Sequence, residues 1–277
     1  MTRARLDPVA LLALPAVAYL VLVYGLPLAG LLARSAMVDG TPSLASFASF
    51  FADPFSWTVM GNTVRVAAAV TALCLVIGYP TALALARARG WAQALILVAI
   101  ILPLSVGVVV KAFAWQIVLR RDGVVSQLLV ALGAWDEPQR LLFTETGLVV
   151  GAANVFVPFM ILPIYSVLKL VDPRLTEAAA TLGASPLHRF FRVALPLSLP
   201  GIVTGIAFVF AMATSMYVVP SLLIGDRFQT LATLTGRSFL FMRNAQLGST
   251  TAVVLLVLSV AVVVGSAALS RRFGGAS

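Results

Sequence analysis

Stretches of mostly apolar residues, each long enough to cross a bilayer, recur at about 9–32, 62–86, 91–119, 146–170, 201–223 and 248–269. A helix rises about 1.5 Å per residue, so about 20 such residues cross the roughly 30 Å of hydrocarbon. With 61% hydrophobic and 10% charged residues, the chain lacks the polar surface of a soluble domain, where about 45–50% and about 25% are usual. The runs are continuous rather than alternating, which argues against a membrane β-barrel. The expected fold is an all-α polytopic membrane protein: one transmembrane domain, 1–277, of six transmembrane helices.

The opening residues MTRARLDP and the run behind them resemble a secretory leader. A leader's apolar core is only about 7–15 residues, so the run is read as a retained first span. The net charge of +9 does not require nucleic acid, because basic residues at span ends set orientation. With the termini on one side, the short connections and tails hold Arg3, Arg5, Arg87, Arg89, Lys169, Arg174, Arg189, Arg192, Arg271 and Arg272. That side is then the cytoplasm. Cys74 and His188 are single residues of their kinds, leaving no spacing for a disulfide, a metal site or a histidine-based triad.

Within the spans, Pro103, Pro158 and Pro163 mark kinks that neighbouring helices tolerate. Gly201 and Gly205 form a small-xxx-small pair at the start of the fifth span, where helices can approach closely. Lys111 lies well inside the third span, and either snorkels to the interface or faces a water-filled path. The spans hold no mid-span carboxylate for a proton relay. The short apolar segment Val124–Leu132 suits the membrane interface or the protein surface.

The loop between the fourth and fifth spans, 172–200, carries the clearest local signals. Asp172 is an N-cap with Pro173 at the first helical position, and Gly183 suits the stop. At about 100° per residue, Leu175, Ala178, Ala179 and Leu182 share a face, with Glu177 opposite. Ser185 and Pro186 repeat the start signal. Leu187, Phe190 and Phe191 follow as an apolar face, with His188, Arg189 and Arg192 beside it; Leu195-Pro196 ends the segment. Such a face suits lipid headgroups or a groove on a partner equally.

Glu177, Ala178, Ala179, Gly183, Val193, Leu195 and Pro196 fit E-A-A-x3-G-x9-I-x-L-P, with Val193 in place of isoleucine. This resembles the cytoplasmic EAA loop of permeases from binding-protein-dependent ABC importers. Further stretches, among them ILPLSVGVVVKAFAW and FVPFMILPIYSVLKLVDP, look like the first permease of spermidine/putrescine-type importers. The resemblance implies the type I importer permease fold, in the bacterial inner membrane, with a coupling helix between helices 4 and 5. Residues Glu177, Ala178, Ala179, Gly183, Ser185, Pro186, Leu187, His188, Arg189, Phe190 and Phe191 would couple to an ATPase.

The implied partners are two ATPase subunits, a second permease chain (usually a homologue), a periplasmic substrate-binding protein and the lipid bilayer. The chain has no G-x-x-x-x-G-K-[ST] loop, so it is not an enzyme and has no cofactor of its own; ATP and Mg belong to the ATPase. It would form half of an alternating-access path for a small polar solute, polyamine-like, aminophosphonate or related. Candidate path residues are Met212, Ser215, Met216 and Tyr217, whose alternative role is helix packing. Polyamine permeases often carry an acidic residue where this chain has Met216. The rival reading, a secondary transporter working without ATP, wants inverted repeats and broken helices; no internal repeat is visible. A membrane-embedded enzyme would need a catalytic pair within the spans, and none is apparent.

Overall fold

The computed structural model describes residues 8–38 and 40–274; Arg3 and Arg5 lie outside them. The first span is α1 (Pro8–Leu20) and α2 (Leu26–Ser35), joined by a π turn at Val21–Gly25. Its apolar window, Leu14–Ser35, is 0% buried within the chain, and α2 packs against the last span. A two-stranded hairpin follows, β1 (Met37–Val38) with β2 (Thr41–Pro42), and then α3 (Ala45–Ala52).

The second span, α4 (Pro54–Arg87), starts well before the apolar run does. Asp53 caps it, its Oδ1 accepting from the Phe55 N–H at 3.0 Å, with Pro54 at the first position. This is the same Asp-Pro signal as at 172–173. The segment 33–61, between the first two apolar runs, is therefore largely structured.

The third run is not one helix. It forms α5 (Trp91–Ile101), a 3-10 turn at Leu102–Ser105, and α6 (Val108–Val118), with the two limbs bent by 100°. Pro103 supplies no N–H to a continuing helix, and Val106 and Gly107 adopt extended backbone. A short helix, α7 (Val124–Ala131), follows. It rests on the protein: Ser126 is buried, and its Oγ accepts from the Gln139 N–H at 2.9 Å.

The fourth span, α8 (Glu145–Leu168), is capped by Thr144, whose Oγ1 accepts from the Gly147 N–H. The loop forms α9 (Pro173–Thr181) and α10 (Pro186–Arg189). The fifth span is α11 (Leu195–Ser215), followed by α12 (Val218–Leu223), α13 (Leu231–Leu240) and the last span, α14 (Ala245–Gly274).

The fifth span also departs from the apolar run of 201–223. A single helical path of 30 residues runs from Pro186 to Ser215. It crosses the Leu195-Pro196 signal through a π turn, Phe190–Ala194, in which the Leu195 N–H donates to the Phe190 carbonyl. The wider turn falls just ahead of Pro196, which has no N–H to give. The path ends at Ser215 because Met216 is extended. Pro220 explains the break: continued helix would need its missing N–H for the Met216 carbonyl.

The main core lies between α4, α8 and α11, around Val70, Cys74, Met160, Ile164 and Val209. At Gly201 an added Cβ would lie 2.8 Å from the Pro163 carbonyl oxygen and 2.9 Å from the Ile164 Cα. This contact explains the glycine: the α11 backbone rests on that of α8. A smaller cluster, Phe50, Val59, Leu231, Leu234 and Val254, joins α3, α4, α13 and α14. There the buried Thr63 Oγ1 accepts from the Leu231 N–H at 2.8 Å.

Candidate functional site

Two places deserve a functional reading: the capped loop at one end of the bundle and a cavity about halfway along α8. The loop is built as its punctuation dictates. Asp172 Oδ1 accepts from the Arg174 N–H at 2.9 Å. Gly183 has φ +82°, and the Gly183 and Ala184 N–H groups donate to the Ala180 and Ala179 carbonyls, each at 3.0 Å. That is the Schellman closure, whose left-handed residue is cheapest as glycine. Ser185 Oγ accepts from the His188 N–H at 3.3 Å, with Pro186 at the first position. Glu177 and Ala178 fall in α9; their side chains lie outside the described part.

Leu187, Phe190 and Phe191 do not form one outward face. Leu187 is 71% exposed and Phe191 is also exposed. Phe190 turns inward, edge-on to Tyr79 with ring centroids 5.7 Å apart. The π turn starts at Phe190, so the simple 100° spacing stops applying there. Tyr79 is buried and its Oη lies 3.1 Å from Ser198 Oγ. The loop is thus tied to both α4 and α11. Leu182, 88% exposed, and Leu187 remain open in it. A groove of about 600 Å³ between α9 and α10 is lined by Ala179, Gly183, Ser185, His188 and Arg192 among others. Arg189 turns the other way, into a cavity it shares with Arg87, Lys169 and Phe190.

The second place is a cavity of about 420 Å³. Leu104, Gly107, Val108 and Lys111 reach it from the broken third span, and Phe156 and Phe159 from the middle of α8. Met212, Ser215, Met216 and Tyr217 close it from the end of α11. All the residues singled out on the fifth span therefore meet Lys111 in one space. Lys111 is 9% exposed, so it does not snorkel outward. Among the described residues it takes part in no ion pair or side-chain hydrogen bond. The cavity lining contains no carboxylate. A lysine at the centre of a span costs about 2.5–3.5 kcal/mol on insertion scales.

Ser215 Oγ donates back to the Ala211 and Met212 carbonyls at 3.1 and 3.3 Å. Tyr217 also borders a second cavity, with Asp226 and Arg237, which pair at 3.3 Å. The sequence reading missed Gly107, Phe156 and Phe159 as lining residues. Pro103 with Gly107 was the available signal for the broken helix.

The family described as the binding-protein-dependent transport system inner membrane component matches residues 75–275. The spermidine/putrescine transport system permease protein PotB of Haemophilus influenzae is 34% identical over 206 residues, covering 74% of this chain and 72% of the relative. The PotB of Escherichia coli K12 is 32% identical over 206 residues, covering 74% and 75%. A solved bacterial ABC transporter involved in import of the acidic polysaccharide alginate has the same fold. Its TM-score is 0.75 at 18% identity, over 97% of this chain and 96% of that one. The chain belongs to the binding-protein-dependent transport system inner membrane component family. It is a multi-pass permease subunit of an ABC importer, not an enzyme, and the secondary-transporter reading has no support.

Proposed function

We propose that this permease forms half of a solute path and that its loop, α9 to α10, is the coupling element that docks on a cytoplasmic ATPase. The observation that carries the reading is the unbroken helical path from Pro186 to Ser215. One end bears the exposed Leu187 and the other closes the cavity around Lys111. Thirty helical residues span about 45 Å, so a push on α10 reaches Met212 and Ser215 along one helical path, through the π turn at Phe190–Ala194. The caps at Asp172, Gly183 and Ser185 keep the loop rigid enough to deliver that push.

In this reading the loop side is cytoplasmic, and both termini lie there. Two ATPase subunits bind ATP and Mg, and a second permease, identical or homologous, completes the path. A periplasmic protein delivers a small polar solute, in the class that includes polyamines and aminophosphonates. Closure of the ATPase pair draws the two loops together and switches the path from inward-open to outward-open. Each state needs contacts the other lacks. Here the candidate moving contacts are Phe190 on Tyr79 and the α11–α12 break at Met216.

Leu187→Glu tests the docking. The side chain is exposed, so the variant should insert and fold normally. It should lose the ATPase on purification and lose stimulation of ATP hydrolysis by the loaded binding protein. Normal copurification and normal stimulation would sink the assignment.

A further inference from the structure

Among the described residues lining the cavity, Lys111 is the one charged side chain. Lys111 is buried, has no counter-ion among the described residues, and shares its cavity with no Asp or Glu. A buried ammonium is costly unless paired. Packing does not require one here, because the surrounding Leu104, Val108, Phe156, Phe159 and Met212 would accept an apolar chain of the same length.

A second feature points the same way. α6 begins at this cavity: Gly107 and Val108 line it, and Gly107 offers no capping side chain to the first-turn amides. A helix N-terminus carries partial positive charge and free N–H donors. The carbonyl end of α11 also borders the cavity; of its last carbonyls, that of Met212 accepts from the Ser215 hydroxyl at 3.3 Å. A dication such as putrescine would meet a like charge here, in a medium where repulsion is strong.

We propose that the transported solute carries an anionic group of the carboxylate, phosphate or phosphonate kind, received in this cavity by Lys111 and the N-terminal end of α6. This rests on the reading of the cavity as the solute path, and narrows it. Lys111 supplies a point charge and N–H donors, while the α6 amides fix the direction of approach. Phe156, Phe159 and Met212 exclude water from the contact.

The test uses the complete importer, purified with its partner subunits and its binding protein and placed in liposomes with ATP. Radiolabelled glycerol 3-phosphate, succinate, γ-aminobutyrate and putrescine are offered separately. At least one of the first three should be taken up in an ATP-dependent manner. For that solute Lys111→Met should raise the half-saturating concentration at least about tenfold, the loss expected for one charge-assisted contact. Lys111→Arg should stay close to the parent, and both variants should retain every subunit.

ATP-driven uptake of putrescine alone, or of none of the three anion-bearing solutes, overturns the proposal while leaving the permease assignment standing. So does anion uptake that Lys111→Met leaves unchanged. A Lys111→Met complex that sheds the second permease also overturns it, in favour of an ion pair between subunits. Absence of both ATP-dependent uptake and stimulated ATP hydrolysis in the parent would instead overturn the underlying path reading.

Discussion

Gly183 allows a clean separation of backbone strain from steric contact. It sits at φ +82° between α9 and α10, and an added Cβ would meet no atom within 4 Å. Gly183→Ala therefore adds no clash within the chain. What remains is the cost of holding an L-residue with a Cβ in the left-handed region, about 1–2 kcal/mol. That corresponds to roughly a 5–30-fold shift in the population of the closed turn. The two hydrogen bonds that report the turn are the Gly183 and Ala184 N–H donors to Ala180 and Ala179. Amide exchange of residues 183 and 184, followed by mass spectrometry of the importer in detergent, should accelerate within that range. Binding-protein-stimulated ATP hydrolysis should fall in step. Gly183→Asn is the control, since asparagine tolerates this conformation better than alanine. It should recover most of both signals. Unchanged exchange in Gly183→Ala would refute the strain argument. Equal damage from alanine and asparagine would show that an ATPase surface, not the backbone angle, rejects the side chain.

Two further outcomes follow from the packing. Gly201→Ala places a methyl against the backbone of Pro163 and Ile164. It should destabilise the bundle by about 1–3 kcal/mol, seen as a lower unfolding midpoint in detergent, while Gly265→Ala, where the added carbon meets nothing, should not. Thr63→Val removes the acceptor of the buried Leu231 N–H. The orphaned donor should cost about 1–3 kcal/mol, measured by the same unfolding curve.

Local chemistry made much of this protein legible. Asp172-Pro173, Gly183 and Ser185-Pro186 each need only a few neighbouring residues to act, and each does what its type dictates. Asp53-Pro54 carried the same signal but sits at an exposed end of α4, outside the apolar run that drew attention. What stayed hidden was direction. Hydropathy has no vector, so α5 and α6 read as one span although they meet at 100°. Phe190 reads as outward because 100° periodicity assumes an unbroken α-helix, and nothing in FFRVA announces a π turn. Met212 through Tyr217 stood out as a group, but their meeting with Lys111 depends on that unforeseen bend.

The contact at Met160 has one more implication. This fully buried side chain lies between two notches, at Gly78 on α4 and Gly205 on α11; an added Cβ would stand 2.8 Å from its Cγ at the first and 2.8 Å from its Sδ at the second. Methionine is the most adaptable apolar filler, yet here a single copy serves both neighbours at once. Its volume is shared, so any tilt that narrows one notch must be matched by widening of the other. At this level α4 and α11 behave as two pans of a balance with α8 as the beam. A movement begun at either helix is registered by the other, with no polar link between them needed.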